Sequence, residues 1–288
     1  MSKISEMTAV ETVDGSEFIP VLKDGANQKV EIIKLVDDIV VNREDFIDGP
    51  YTSPTVFSNI YDVTDAVGGV EEASDIDLYN EPSTIRIRHN IIEIPASGWK
   101  KTLISGHKVF VPRELNDFHL FETRIKTTRA GENPAASIYF GFNSATTASQ
   151  LGSNIPFVGM YVLIISTDGS GGDIPYNQVT VVANVVDDTP TTLLTQVLTT
   201  PTTCWVENAP LSDAQYTKFG VKLFKDKAEF YINDVLSYTY TFTGALFSST
   251  SQALYSSFGA YSYGEDFYGG GELDYWVDYL SVKSKISR

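Results

Sequence analysis

Two carboxylates near the C-terminus are the first residues whose type and spacing could do chemistry. Glu272 and Asp274 stand two apart in a β-branched and aromatic run, so on a strand they share one face at roughly 6.5–7 Å. Hydrolysis of a glycosidic bond uses two carboxyl groups about 5 to 9 Å apart, and the spacing permits it; the competing reading is a pair of solvated acids. Other catalytic groupings do not assemble. His89, His107 and His119 are scattered and no Gly-x-Ser-x-Gly elbow occurs, so a nucleophile, base and acid cannot be named. His119 alternates with Phe118 and Leu120 as an ordinary strand residue would. Three separate histidines and one cysteine, Cys204, do not make a zinc site, and there is no phosphate loop or dinucleotide fingerprint. Asp168 and Asp173 bracket a glycine-rich loop and are the candidate calcium ligands, but calcium takes about 6 to 8 oxygens. A plain loop explains the pair as well, and no cofactor is required.

For recognition the best stretch is 261–271, with Tyr261, Tyr263, Phe267 and Tyr268 followed by three glycines. Tyrosine rings stack on the apolar faces of sugars while their hydroxyls hydrogen-bond, and glycines let a ligand approach the backbone. Packing within the fold or between subunits is the alternative use of the same rings.

These groups need a scaffold, and hydrophobic periodicity supplies one. Phe219–Phe224 and Ala228–Ile232 alternate with a period near two around the turn Lys225-Asp226-Lys227; Asn233-Asp234 makes a second turn before Val235–Phe242. Leu273–Val282 reads as a closing strand. From Ser83 on, further runs at Ile85–Arg88, Phe118–Lys126, Ser137–Asn143, Pro156–Ser166, Gln178–Val186, Leu193–Leu198, Thr203–Glu207 and Ser257–Tyr263 are each bounded by turn formers. About a dozen short strands predict a mainly β, two-sheet sandwich of jelly-roll type. The hairpin and closing strand resemble the C-terminal half of concanavalin-A-like (laminin-G-like) jelly rolls, a resemblance that covers residues 83–286 of the domain at 83–288. That resemblance implies that the last strand returns beside the first, and that the domain binds sugars, hydrolyses them or serves as a structural module. Asp234 stands where such domains usually carry glycine, a position Asn and Asp also tolerate. Jelly-roll glucanases present Glu-x-Asp-x-x-Glu or Glu-x-Asp-x-Glu, and here Trp276 or Val277 occupies the place of the second glutamate.

The front of the chain differs in character. Residues 1–80 hold 17 of the 37 acidic and 5 of the 21 basic residues, so most of the net charge of −16 sits there. Such acidity repels phosphate backbones and excludes nucleic acid as a direct partner. No run approaches the ~20 apolar residues of a membrane span, and no secretory leader is read. Two Asp-Gly turns frame a β-ribbon from Glu17 to Ile33. Ile32, Leu35, Val36, Ile39 and Val40 then lay one stripe on a short helix, and 43–82 reads as an acidic linker with one short strand. The stretch Ile4-Ser5-Glu6-Met7, Val13-Asp14-Gly15 and Phe18-Ile19-Pro20-Val21 resembles the N-terminal segment of phage tail-fibre and head-fibre proteins. The resemblance implies a docking module at 1–42 whose contacts run through Val13, Asp14, Gly15, Phe18, Ile19, Pro20 and Val21. The partners it implies are capsid, portal, tail or fibre-adaptor proteins, in a homotrimer assembled in the host cytoplasm and carried on the virion. The sandwich at 83–288 would then be a non-enzymatic display domain with host glycan as a further partner. A depolymerase on the same fold and a purely architectural particle protein are the alternatives.

Overall fold

Alternation of buried and outward side chains sorts this chain into two facing sheets. The computed structural model describes residues 18–23, 26–31, 39–44, 61–67, 70–72, 76–77, 84–90, 99–109, 115, 117–130, 135–152, 155–165, 178–187, 191–198, 205–207, 216–243, 254–263 and 272–285. Among them the strands are β1 Phe18–Lys23, β2 Ala26–Glu31, β3 Ile39–Glu44, β4 Tyr61–Val67, β5 Val70–Glu72, β6 Ile76–Asp77, β7 Ile85–Asn90, β8 Trp99–Val109, β9 Phe118–Ala130 and β10 Ala135–Asn143. They continue with β11 Phe157–Ile165, β12 Gln178–Val186, β13 Thr192–Leu198, β14 Trp205–Glu207, β15 Thr217–Phe224, β16 Lys227–Ile232, β17 Val235–Thr241, β18 Tyr255–Tyr263 and β19 Glu272–Lys285. One sheet has eight strands in the order β13-β12-β11-β10-β18-β8-β4-β5, and the other nine, with β17-β16-β15-β9-β19-β7-β6 as its path. β3 pairs antiparallel with β19, and β14 adds a short parallel pairing to β9.

The core lies between the sheets. From the eight-stranded sheet come Ile138, Phe140 and Phe142 of β10 and Val158, Met160 and Val162 of β11; Phe121, Phe219, Val221 and Phe230 face them, all fully buried. Rings meet across the gap: Phe140 and Phe219 at 4.7 Å between centroids, Phe121 and Phe142 edge-on at 6.3 Å. Each such pair adds about 0.5–1.5 kcal/mol beyond the area it buries. β19 is the spine of its sheet, pairing with β9 along one edge and with β7 and then β3 along the other. The chain's last strand thus lies beside β7, as the resemblance implied. The Asn233-Asp234 turn has φ of 49° and 65°, the two left-handed residues that a tight hairpin needs. Asn233 Oδ1 accepts the Lys218 amide at 3.1 Å, and Lys218 Nζ donates to Asp234 Oδ1 at 2.6 Å.

The front of the chain meets expectation in one place and departs from it in two. The ribbon forms: β1 and β2 make a two-stranded sheet of their own, from Phe18↔Glu31 to Lys23↔Ala26. Ile39 and Val40, expected on a helical stripe, lie instead on β3, where pairing with Ser284 and Lys283 satisfies their backbone groups in an existing sheet; residues 32–38 lie outside the described residues. The stretch 43–82, expected as a linker with one short strand, supplies β4, β5 and β6. Val63 of β4 pairs with Ile104 and packs on the core, a burial that alternation over only seven residues did not announce.

One polar node crosses the core. His89 of β7 is fully buried, with Nδ1 2.7 Å from Ser262 Oγ and Nε2 3.0 Å from Thr102 Oγ1; the Tyr275 hydroxyl lies 2.8 Å from the same Ser262 Oγ. A neutral imidazole, donating from one nitrogen and accepting at the other, satisfies both hydroxyls. Burial, helped by the charge of Lys100, pushes His89 down to about 3. The folded state therefore refuses a proton that the unfolded chain binds near pH 6.5, so stability is full above 6.5 and falls as the pH drops towards 3. The depressed carboxyls Glu122 and Glu229 act in the same direction only below their ordinary range near 4.5. Urea unfolding at pH 7 and pH 5 should therefore show a loss of about 2 kcal/mol that His89→Gln removes; an unchanged slope in the variant would assign the loss elsewhere.

Candidate functional site

The outward face of the eight-stranded sheet carries the side chains out of phase with the core. On β10 these are Ser137, Tyr139, Gly141 and Asn143; on β11, Phe157, Gly159, Tyr161 and Leu163; on β12, Val182, Asn184 and Val186. Register sets Tyr139 opposite Tyr161, Gly141 opposite Gly159 and Gly159 opposite Asn184, with Gly259 of β18 on the other side of Tyr139. The tyrosine rings lie 5.6 Å apart, and Phe157 meets Tyr139 edge-on at 6.3 Å.

Gly259 clears this face for a covering segment. A Cβ on Gly159 would collide with the Phe140 carbonyl and the Phe157 ring, and one on Gly259 would sit 2.5 Å from Leu151 Cδ2. Leu151 therefore occupies the notch that Gly259 leaves, beside Leu103, Ala145 and Ala148. It is delivered by a short 3-10 turn, Ala148–Gln150, whose approach is fixed by Gln150 Oε1 accepting the Thr146 amide at 2.8 Å. The Ser144 amide donates to the Pro156 carbonyl at 3.0 Å and closes the base of the segment. From below, the buried Lys101 ammonium donates to the Leu151 carbonyl at 2.5 Å and points at the Ser149 carbonyl at 3.4 Å, over the rings of Trp99 (4.1 Å) and Tyr261 (5.1 Å). Burial lowers its pKa.

Beside this anchor is a cavity of about 280 Å³. Tyr139, Tyr161 and Phe157 supply rings; Leu151, Gly152 and Ile155 form the wall contributed by the covering segment; Asn143, Asn184, Thr192 and Thr195 supply polar groups. Asn143 is 2% exposed and its Oδ1 accepts the Ala145 amide, which leaves its side-chain NH₂ for an occupant of the cavity. Asn184 Oδ1 lies 3.5 Å from the Thr195 hydroxyl. Burial raises the pKa of Tyr139 and of Tyr161, so both remain neutral hydroxyl donors. The lining has no Asp, Glu, Lys or Arg among the described residues.

The residues singled out from sequence distribute as follows. Tyr261 lies on β18 opposite Lys101 and packs with Trp99 at 6.4 Å between centroids; its ring supports the anchor next to the cavity. Tyr263 ends β18, and its side chain lies outside the described residues, as do Phe267 and Tyr268 altogether. Asp274 sits on the outer face of the other sheet, where Arg88 Nε and NH2 grip its two oxygens at 2.8 and 3.0 Å; Glu272 precedes it on β19, its side chain outside the described residues. Asp168, Asp173, Val13, Asp14 and Gly15 are also outside them, while Phe18, Ile19, Pro20 and Val21 form β1. His119 is buried with Nδ1 2.7 Å from Ser284 Oγ. Among the described residues no group of three or more His, Cys, Asp or Glu could hold a metal ion, and no helix is long and apolar enough to cross a membrane. Tyr139, Asn143, Tyr161 and Asn184 were not anticipated; their signal is aromatic and amide residues standing in the phase opposite to a run of core residues.

No protein-family model matches the chain, and no curated protein does. Solved structures are similar in fold. The laminarinase from Flavobacterium sp. UMI-01 has a TM-score of 0.50 at 13% identity, over 85% of this chain and 99% of that one. The β-1,3-glucanase from Mycobacterium marinum has 0.47 at 14%, over 85% and 98%. The Emp47p carbohydrate recognition domain has 0.48 at 10%, over 87% and 96%. Sheet order, register and the laminarinase superposition agree on the architecture: this chain folds as a concanavalin-A-like sandwich of two antiparallel sheets.

Proposed function

We propose that the protein is a non-cleaving glycan-binding module displayed on a virus particle, with its N-terminal ribbon as the attachment point. The observation that carries the binding half is the cavity on the eight-stranded sheet, where tilted tyrosine rings, the amide NH₂ of a buried asparagine and neutral hydroxyls converge with no charged group among the described lining residues. That chemistry suits a neutral sugar: ring faces take the apolar C–H side, and amide and hydroxyl groups take the oxygens. At about 280 Å³ the cavity lies just under the usual range of roughly 300–1,000 Å³ for small-molecule sites and accommodates one sugar ring. Weak single sites of this kind gain strength when many copies are displayed together.

Cleavage is the reading this geometry favours less. Two carboxyls would have to flank a scissile bond, yet Asp274 is engaged by Arg88 on the sheet opposite the cavity. The attachment half rests on the N-terminal sequence and on β1–β2 forming a sheet separate from the sandwich.

Screening the full chain against neutral and acidic oligosaccharides, followed by calorimetry, tests the site. Tyr161→Ala is expected to weaken binding of a neutral glycan about tenfold or more, with no reducing ends released by the wild type or by Glu272→Gln. Steady release of reducing ends that Glu272→Gln abolishes would establish the hydrolase instead. For attachment, removal of residues 1–31 leaves β3 in place, so the shortened protein should keep its glycan affinity and lose co-sedimentation with assembled particles. Equal co-sedimentation with and without the ribbon would refute docking through it.

A further inference from the structure

One strand residue is a glycine although nothing in the surrounding fold requires it. Gly220 lies in the middle of β15, paired in regular register with Tyr231 of β16 on one side and Glu122 of β9 on the other, so no bulge explains it. The other four glycines whose surroundings are described have structural causes: Gly141 and Gly152 adopt positive φ, and a Cβ would collide at 2.4 Å at Gly159 and at 2.5 Å at Gly259. Gly220 has no positive φ. The nearest neighbours of a Cβ there would be Tyr231 Cβ at 3.4 Å, Leu120 Cδ1 at 3.7 Å and the Phe121 carbonyl at 3.8 Å, all ordinary contacts. Glycine inside a strand weakens it, and where no bulge, bend or close backbone accounts for it, it marks a place that a ligand approaches.

The missing side chain opens a notch of about 210 Å³ on the outer face of the nine-stranded sheet, walled by Leu120 and Tyr231 and rimmed by Glu122, Lys218, Lys222 and Asp234. Three of those four charges hold one another. Lys218 Nζ lies 2.7 Å from Glu122 Oε1 and 2.6 Å from Asp234 Oδ1, and Lys283 reaches the second Glu122 oxygen at 2.8 Å. The described partners of the Lys222 ammonium are instead ring faces, Phe118 at 4.0 Å and Phe224 at 5.0 Å, which attract the cation without neutralising it. Glu229, opposite Lys222 in register, is held by Lys227 at 2.6 Å and by the Tyr231 hydroxyl at 2.5 Å. The ligand that matches has an uncharged ring for the glycine floor and one anionic group for Lys222. We propose that the notch binds a carboxylated sugar, a uronic acid residue of an acidic glycan, its ring over Gly220 between Leu120 and Tyr231 and its carboxylate on Lys222. The C–H face of such a ring suits Leu120 and the Tyr231 ring. A Glu or Asp side chain from a protein would satisfy Lys222 but leave the floor unfilled. The notch lies on the sheet opposite the neutral cavity and takes a different ligand, so it stands independently of binding there.

Titration of the full chain with oligomers of galacturonic, glucuronic and mannuronic acid, each beside its uncharged methyl ester, tests this by nuclear magnetic resonance and calorimetry. At least one acid should shift the Gly220 amide and the Tyr231 ring saturably and bind about tenfold or more tightly than its ester, as a hydrogen bond to a charged group implies. Lys222→Met should erase that preference. Lys225→Met, which removes a cation from the neighbouring turn outside the notch, should keep it. Gly220→Ala, whose methyl fills the floor, should weaken binding of the acid about tenfold or more while its urea midpoint stays level or rises. Should Lys222→Met misfold, Gly220→Ala and the acid and ester pair decide. Binding of none of the three acids, equal affinity for acid and ester, a retained preference in folded Lys222→Met, its loss in Lys225→Met, full affinity in Gly220→Ala or a lowered midpoint there would each overturn the proposal. A glutamate-rich peptide that shifts Gly220 where no uronate does would overturn it too and give the notch to a protein partner.

Discussion

The burial of one ammonium group governs the outer face of the eight-stranded sheet. Lys101 lies on a strand with its charge directed away from the core, yet it is covered, and a covered cation must be compensated or it costs several kcal/mol. Compensation comes from two carbonyls of the segment after β10 and from the faces of Trp99 and Tyr261. That requirement fixes where the segment lies. Leu151 can descend onto the sheet because Gly259 presents no side chain, and the wall of the cavity is the flank of the segment so held. Anchor and cavity are therefore one structural unit, built from β8, β10, β11, β18 and the covering turn.

The opposite sheet presents a different chemistry on its outer face. Its outer face is a lattice of mutually satisfied charges. Arg88 holds Asp274, Arg124 reaches Asp278 at 3.2 Å, and Glu122 is bridged by Lys218 at 2.7 Å and Lys283 at 2.8 Å. Burial alone would push the Glu122 carboxyl up, but its two lysines outweigh it and hold it down. Tyr231 donates to Glu229 Oε2 at 2.5 Å and is pushed up to about 12, first by burial and then by that bond. Most of these pairs join a half-exposed cation to a largely buried carboxylate, and their effect is chiefly to leave few uncommitted groups. Around the cavity on the eight-stranded sheet the described polar groups are neutral, and the Asn143 NH₂ is uncommitted.

The fold was largely legible because alternation is a direct record of one-sided burial. Gln178–Val186 and the two hairpins from Phe219 to Phe242 could be read almost residue for residue, and the Asn233-Asp234 turn follows from the tolerance of both residues for positive φ. β8 was missed for a physical reason: Lys100 and Lys101 are adjacent, both buried, and two lysines read as solvent. Only the partners of Lys101 offset that burial, and apart from Trp99 they lie far off in the chain, on the segment after β10 and on β18. The site was legible in part. Tyr261 was recognisable as a ring near glycines, but it supports the anchor. Tyr139 and Tyr161 were hidden in strands whose stronger signal, Phe140, Phe142 and Met160, belongs to the other face.

The central claim is that a neutral sugar ring sits on Tyr139 and Tyr161 and accepts hydrogen bonds from Asn143. Nuclear magnetic resonance of the labelled protein, titrated with the neutral oligosaccharide that binds best, tests it most directly. The account predicts saturable shifts at the Asn143 side-chain NH₂ and the Tyr161 ring, with the Arg88–Asp274 face unmoved. Shifts confined to the nine-stranded sheet, with Asn143 and Tyr161 silent at saturation, would contradict it.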